Sequence, residues 1–178
     1  MAEAGNIILV GFMASGKSHV GRILSQRTGM PLVDADSVIV ERAGKSIDQI
    51  FADDGEAAFR RLEREIISEL CRGAGQIISG GGGAFVEADN RDAMLKGGTV
   101  FCLQARPETI YQRLKADDKS GQAVRPLLAG PDPLGRIREL LEQRAEAYGR
   151  AHHCIDTDGL TPEEVAERVW ATFCPEGG

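Results

Sequence analysis

The sequence of 178 residues lacks the features that mark membrane, zinc-binding and nucleic-acid-binding proteins. Its longest apolar stretch, residues 7–14, is far shorter than the roughly 20 residues that a membrane-spanning helix needs. The four cysteines form no CxxC pair and have no histidine at zinc-finger spacing, so we expect buried thiols in a reducing compartment. No run of Lys and Arg occurs, and the net charge is −6, which argues against a nucleic-acid partner. We therefore expect a cytoplasmic protein without a membrane or nucleic-acid partner.

The composition is that of a folded protein with an excess of glycine. Hydrophobic residues make up 42% and charged residues 27% of the chain, which excludes a disordered protein. The length favours one domain over residues 1–178, because domains commonly hold about 150 residues. There are 22 glycines, and many of them stand in two clusters. This clustering indicates that they build a site.

Strand and helix patterns alternate along the chain. Residues 6–10 form a short, continuous apolar run, as expected for a strand buried on both faces of a parallel sheet. Two short helices separated by Gly44 precede a longer helix over 56–72, whereas residues 115–133 show little periodicity. The alternation predicts a three-layer α/β/α fold with a central five-stranded parallel sheet. The other predicted strands are 31–33, 76–79, 99–104 and 153–156, and the other predicted helices begin near 17, 37, 46, 89, 107, 134 and 162.

Residues 11–18 (GFMASGKS) match the phosphate-binding loop G-x-x-x-x-G-K-[ST] in full, between a buried strand and an amphipathic helix. In such a loop, backbone N–H groups and the helix N-terminus surround phosphate oxygens. Lys17 then reaches the β- and γ-phosphates, and the Ser18 hydroxyl can bind Mg²⁺. Ala14 stands where glycine is common and is acceptable if its φ is negative. The loop predicts a nucleoside triphosphate site, and the residues expected to bind the triphosphate are Ala14, Ser15, Gly16, Lys17, Ser18 and His19.

A triphosphate site could serve a GTPase switch, a motor or a kinase. The chain has no Asn-Lys-x-Asp motif for guanine, and residues 156–159 (DTDG), which mimic a switch motif, are interpreted as a loop after the last strand. Asp34 and Asp36 follow the second strand; in extended backbone, residues i and i+2 point to the same side, so both carboxylates can face one pocket. One would then position a Mg²⁺ water and the other accept a hydroxyl proton. The alternative is that they are two solvated loop acids.

Arginines and glycines supply the remaining candidate residues. Arg60 and Glu63 are neighbours at i,i+3 on a helix, either as an oriented guanidinium or as an ordinary surface pair. Four consecutive glycines, 80–83, follow a predicted strand and suggest that the backbone approaches a ligand closely. Arg125 lies in the segment without periodicity, where an arginine can neutralise charge on a transferring phosphoryl group.

The pattern resembles the shikimate kinases, which are P-loop proteins related to the nucleoside-monophosphate kinases, over nearly the whole chain. The resemblance implies transfer of the ATP γ-phosphate to the 3-hydroxyl of shikimate, in the pathway to aromatic amino acids. Gluconate kinase, a nucleoside-monophosphate kinase and a non-catalytic nucleotide-binding protein are the alternatives. The motifs are GFMASGKS at 11–18, DAD at 34–36, IFADDGEAAFRRLE at 50–63, GGGA at 81–84, RPLLAG at 125–130 and QRAEAY at 143–148.

The resemblance also implies a role for individual residues, a substrate-binding region at about 34–63 and a mobile lid at about 116–133. Mg²⁺ is the implied cofactor, ATP and shikimate are the implied small-molecule partners, and we expect a monomer. The family commonly has glycine where Ala14 stands and threonine where His19 stands, which puts the fine geometry of the loop in question. The implied roles are Asp36 as base, Lys17 and Arg125 as catalytic cations, Arg113 beside adenine, Arg60 and Arg144 on the shikimate carboxylate, Gly81, Gly82 and Gly83 against the substrate, and Ser18 and Asp34 at the metal.

Overall fold

A parallel sheet of five strands forms the centre of the structure, a computed structural model that describes residues 5–119 and 130–174. The strands lie in the order β2-β3-β1-β4-β5, and every neighbouring pair is parallel. All five predicted strands are present, with ends that differ by one residue at most. Their bounds are β1 Asn6–Val10, β2 Leu32–Asp34, β3 Ile77–Ser79, β4 Gly98–Gln104 and β5 His153–Asp156.

Helices cover both faces of this sheet, and their ends follow the sequence signals. Gly44, with φ 69°, ends the first of the two short helices, and Thr161 begins the last helix with a capping box. A 3-10 turn over Ala84–Val86, which the sequence pattern did not predict, follows the glycine run. The helices are α1 Lys17–Thr28, α2 Ala35–Ala43, α3 Ile47–Asp54, α4 Glu56–Cys71, α5 Ala88–Gly97, α6 Pro107–Lys119, α7 Pro133–Tyr148 and α8 Pro162–Phe173.

The central strand β1 is buried on both faces because its alternating side chains enter two different cores. Ile7 and Leu9 pack with α1 and α8, whereas Ile8 and Val10 pack with residues of α5, α6 and α7. All four side chains are fully buried, and each contributes roughly 1.5–3 kcal/mol. The loop that follows β1 therefore starts from the most rigid part of the sheet. It also lies at the point where the chain moves from the β3 side to the β4 side, which is where parallel sheets bind ligands.

A third, smaller core joins α2, α3 and α4 into a helical insertion between β2 and β3. Ile39, Ile50, Phe59 and Ile66 are buried against one another there. This core contains apolar positions of α4 that follow its 3.6-residue period. The same helix carries Arg60, whose guanidinium lies beside Gly83, four residues after the end of β3.

The segment predicted as a lid, residues 116–133, is helical at both ends. Residues 116–119 are the last turn of α6, and Pro133 already begins α7. Polar residues continue α6 because neither Gly nor Pro occurs in it after Pro107. The rest of the predicted lid, residues 120–129, lies outside the described residues.

The prediction of buried thiols was wrong for three of the four cysteines. All four are free, but only Cys102 is buried; Cys71 and Cys174 are half-buried. Cys154 is exposed because β5 is an edge strand with one neighbour. Within the described ranges, no helix is both long and apolar enough to cross a membrane.

Candidate active site

The glycine loop leaves the carboxyl end of β1 and turns into α1 at Lys17. Gly11 has φ 140°, and a Cβ there would collide with the carbonyl oxygen of Leu103 on β4, so only glycine fits. The Lys17 ammonium donates to the carbonyl oxygens of Gly11 at 2.6 Å and Phe12 at 3.1 Å. Burial lowers the pKa of Lys17 to about 8, and the nearby carboxylate of Asp36 opposes this shift. The loop thus holds its one cation inside the ring of backbone that would receive phosphate.

Ala14 has a left-handed backbone, so the negative φ at which alanine would be acceptable without strain is not met. Its φ is 59°, and it is the one positive-φ residue other than glycine among those described. The left-handed conformation costs a residue with a Cβ roughly 1–2 kcal/mol. The carbonyl oxygen of Ala14 accepts a hydrogen bond from Nη1 of Arg113 at 3.0 Å, and this contact helps to hold the strained residue in place.

The two aspartates reach one cavity by a different route from the one predicted. Asp34 ends β2 and caps α2 by accepting from the Ser37 N–H at 3.1 Å, whereas Asp36 lies in the first turn of α2. The argument from extended backbone was therefore wrong, because the chain becomes helical at residue 35. Both carboxylates nevertheless line a cavity of about 550 Å³, together with Lys17 and Ser18.

Asp36 is the carboxylate with the most altered environment. Burial, and after it the neighbouring carboxylates of Asp34 and Glu63, raises the pKa of Asp36 to about 6, although Lys17 and Arg60 act in the opposite direction. A carboxylate with a pKa near neutrality holds and releases a proton at working pH, as a general base must. The geometry of the cavity and this pKa agree with a role in proton transfer.

The residues that follow β3 bring three chemical groups to one stretch of backbone. A Cβ added to Gly81 would lie 2.7 Å from Oδ1 of Asp36, and one added to Gly83 would lie 3.3 Å from Nη2 of Arg60. A Cβ on Gly82 would be 3.9 Å from Nη1 of Arg144. None of these glycines has a positive φ; close approach explains glycine at 81 and, less strictly, at 83, whereas a Cβ on Gly82 would make only ordinary contacts. The run therefore gathers one carboxylate and two guanidinium groups.

Arg60 is held by a buried acid and not by a surface pair. Its Nη1 lies 2.9 Å from Oε1 of Glu63, which is only 2% exposed. The same oxygen accepts from Nδ2 of Asn90 at 3.2 Å. Burial raises the pKa of Glu63, and the Arg60 guanidinium opposes that shift. A buried carboxylate needs such partners, so the pair fixes Arg60 beside Gly83.

Arg144 lies on α7 and is positioned by the glycine run 80–83 and by the phosphate loop. Its Nη1 donates to the carbonyl oxygen of Gly82 at 3.3 Å, and the Tyr148 hydroxyl donates to the same oxygen at 2.7 Å. The guanidinium carbon lies 5.2 Å from the centre of the Phe12 ring, within the range of a cation–π contact. Arg144 therefore contacts both the phosphate loop and the glycine run that follows β3.

Arg113 lies on the other side of the loop, at a second cavity of about 350 Å³. Val20, Leu160, Pro162 and Val165 give this cavity an apolar wall. The exposed side chain of His19 lines both cavities. A planar base and a polyphosphate together need two adjoining spaces of this kind.

Not every predicted site residue can be placed. Arg125 lies outside the described residues. Ser15 is buried, and its hydroxyl finds no hydrogen-bond partner among the described residues. Four residues that contact the predicted site residues were not predicted from the sequence: Phe12, Asn90, Tyr148 and Thr157. Phe12 and Tyr148 look like core residues, and Thr157 lies in a segment interpreted as a plain loop. No sequence signal marks Asn90.

The phosphate loop follows a central parallel strand. On one side of it lies a cavity large enough for a nucleotide base, and on the other lies a cavity lined by acidic and cationic side chains. This arrangement defines a P-loop kinase. The family model for shikimate kinase matches residues 13–173. The chain belongs to the shikimate kinase family, and it is an ATP-dependent kinase.

Individual relatives agree with this assignment. A shikimate kinase of Symbiobacterium thermophilum is 44% identical over 165 residues, which cover 92% of this chain and 93% of that protein. A shikimate kinase of Thermus thermophilus is 44% identical over 163 residues, covering 92% and 86% of the two chains.

Solved structures support the same fold. The structure of shikimate kinase from Acinetobacter baumannii in complex with shikimate is 32% identical, has a TM-score of 0.86 and covers 97% of this chain and 94% of that one. A gluconokinase from Sinorhizobium meliloti has a TM-score of 0.63 at 17% identity, which shows a shared fold only. The predicted three-layer α/β/α fold with five parallel strands is confirmed.

Proposed function

We propose that this enzyme transfers the γ-phosphate of ATP to the 3-hydroxyl of shikimate, giving shikimate 3-phosphate and ADP. One observation carries the proposal: Asp36, Arg60 and Arg144 meet over residues 81–83, directly beside the phosphate loop. The family assignment and the relative that was solved with shikimate support the choice of acceptor. The region of about 34–63 then serves as the acceptor-binding part of one kinase domain.

The cations of this region suit a small acceptor that carries one carboxylate. Arg60 and Arg144 flank Gly83, each with a guanidinium nitrogen within 3.9 Å of the position of its missing Cβ. Guanidinium groups bind carboxylates through two parallel hydrogen bonds, and two of them compensate for the loss of the acceptor's hydration. In a chain of net charge −6, this local pair of cations gives the acceptor a specific place to bind.

Asp36 is the group that would handle the acceptor hydroxyl. The hydroxyl oxygen forms the new bond to the γ-phosphorus, the bond from that phosphorus to the bridging oxygen of ADP breaks, and the hydroxyl proton passes to the Asp36 carboxylate. With a pKa of about 6, this carboxylate is mostly ionised at neutral pH and can accept the proton. Lys17, and Arg125 outside the described residues, would balance the charge on the phosphates.

The nucleotide would occupy both cavities, with its phosphates in the glycine loop and its base beside Arg113. The side chains of Ser18, Asp34 and Asp36 line the larger cavity and offer oxygen atoms as metal ligands, which are the ligands that Mg²⁺ prefers. The described residues hold no cluster of three or more acidic, His or Cys ligands, which suits an ion bound chiefly through phosphates and water. When bound, Mg²⁺ would neutralise phosphate charge. Ser18 and Asp34 would hold it, with Asp34 acting through water.

The test is ADP release in a coupled assay with Mg-ATP and each of four acceptors: shikimate, gluconate, AMP and CMP. We expect turnover with shikimate alone, above a control without acceptor. ADP release with another acceptor would overturn the roles given to Asp36, Arg60 and Arg144 but leave the nucleotide site intact. Normal ATP binding without any acceptor-dependent turnover would favour a non-catalytic protein. The net charge and the free cysteines support a cytoplasmic enzyme, which we propose acts as a monomer.

A further inference from the structure

Thr157, the residue after β5, lines the smaller cavity beside Arg113. The geometry points to Thr157 as a positioning residue for nucleotide binding, because its hydroxyl orients the Arg113 guanidinium at the wall of the smaller cavity. The inference rests on the proposed function, in which Arg113 lies beside the base. It adds a residue whose effect is transmitted wholly through Arg113.

The hydrogen bonds of Thr157 have a definite direction. The side chain is buried, at 3% exposure, and its Oγ1 lies 2.9 Å from the carbonyl oxygen of Gln104. A hydroxyl has one proton, and Thr157 donates it to that carbonyl oxygen. The lone pairs of Oγ1 therefore remain free to accept hydrogen bonds. Nη1 and Nη2 of Arg113 both lie 3.3 Å from Oγ1, and a guanidinium can only donate. Every polar contact of the hydroxyl is thus used to anchor Arg113 to the end of β4.

Arg113 has a second anchor on the phosphate loop. Its Nη1 also donates to the carbonyl oxygen of Ala14 at 3.0 Å. The guanidinium therefore links the ends of β4 and β5 to the strained residue of the loop. The two anchors fix the position of the guanidinium and restrict the rotamers of the Arg113 side chain before the nucleotide binds. The side chain therefore loses less conformational entropy on binding. The cavity that it borders is otherwise largely apolar and suits a planar base against which a guanidinium can stack.

The positioning role can be separated from a structural one. The backbone N–H of Thr157 donates to the same Gln104 carbonyl at 2.8 Å, so the turn after β5 keeps a hydrogen bond when the hydroxyl is removed. Valine has nearly the shape of threonine and removes only the hydroxyl. Thr109 offers a matched control, because its hydroxyl lies nearby on α6 but donates to Asp158 at 2.5 Å.

The experiment is a double-mutant cycle of Thr157→Val and Arg113→Met, read out as the dissociation constant of Mg-ADP by calorimetry without acceptor. We expect Thr157→Val to weaken Mg-ADP about 3- to 10-fold, with Thr157→Ser restoring most of the affinity and Thr109→Val leaving it unchanged. The double variant should bind no more weakly than Arg113→Met alone. In the full assay, the KM for ATP should rise while the KM for the acceptor stays constant.

Three results would overturn the inference: an unchanged dissociation constant in Thr157→Val, effects of the two substitutions that simply add, or an equal loss in Thr109→Val. The readout needs no acceptor, so it stands even if the acceptor proves not to be shikimate. Failure of the proposed reaction and failure of the role of Thr157 are therefore separate outcomes.

Discussion

Replacing Asp36 by asparagine should inactivate the enzyme and, at the same time, stabilise the free protein at neutral pH. The carboxylate is ionised at pH 7 in a place where burial and two neighbouring carboxylates disfavour its charge. Asparagine keeps the shape of the side chain and removes that charge. The active site is in this respect a region where function opposes stability.

The size of the effect follows from the pKa of Asp36. A rise from 3.8 to about 6 corresponds to about 3 kcal/mol between the folded and unfolded states. Because the side chain is partly exposed, screening by water reduces this to about 1–2 kcal/mol. For a chain of this length, that difference raises the melting temperature by about 3–6 °C.

The pH dependence has a definite sign. Below about pH 3, Asp36 is protonated in the folded protein and largely so in the unfolded chain, so wild type and variant have similar stability. As the pH rises from about 4 to about 6, the unfolded chain releases the proton before the folded protein does, and the wild type alone loses stability. Above about pH 6 the difference stays constant.

Thermal melts at pH 4, 5, 6 and 7 measure this difference, with Asp92→Asn on the exposed face of α5 as the control for a lost surface charge. Turnover of Asp36→Asn should fall by about 10²–10⁴-fold, with Mg-ATP binding largely retained. An Asp36→Asn advantage that is the same at pH 4 and pH 7, or that Asp92→Asn reproduces, would show that burial of the Asp36 charge is not its cause.

Three further substitutions test other parts of the site. Ala14→Gly should stabilise the protein by about 1 kcal/mol, because glycine adopts φ 59° without strain; a lower melting temperature would contradict this. Arg60→Lys should raise the KM for the acceptor about 10-fold with little change in the KM for ATP, since lysine cannot bind a carboxylate bidentately. The control is Arg61→Lys, one position along α4. An unchanged acceptor KM in Arg60→Lys would mean that Arg60 does not belong to the acceptor site. Gly81→Ala should lower kcat at least about 10-fold, because its Cβ would lie 2.7 Å from Oδ1 of Asp36; near-normal kcat would mean that Asp36 can shift without cost.

Much of the fold was predictable because its signals are local. The alternation of apolar runs with helical periods predicted all five strands, and it also predicted a last helix that begins near residue 162. The phosphate loop was predictable for the same reason, since its residues are consecutive. The end of α6 was mispredicted, because polar residues can belong to a helix or a loop and the choice depends on what lies around them.

The site could be predicted only as a set of residue types. That Arg60 and Glu63 pair follows from helical spacing, but the burial of Glu63 depends on Asn90, which is 27 residues further along the chain. Tyr148 and Phe12 have apolar bodies and fit the core pattern, so nothing in the sequence indicates that one donates to Gly82 and the other lies under Arg144. Such contacts join residues that are far apart in sequence.

The sequence by itself therefore determined the order of the elements, the phosphate loop and the chemistry available, because periodicity, turn residues and short motifs act over a few positions. Only the tertiary structure decided that Asp36 lies on a helix, that Ala14 is left-handed and that Thr157 supports Arg113. Those features depend on which strand ends become neighbours in the sheet, and on the burial and charge that each neighbour imposes.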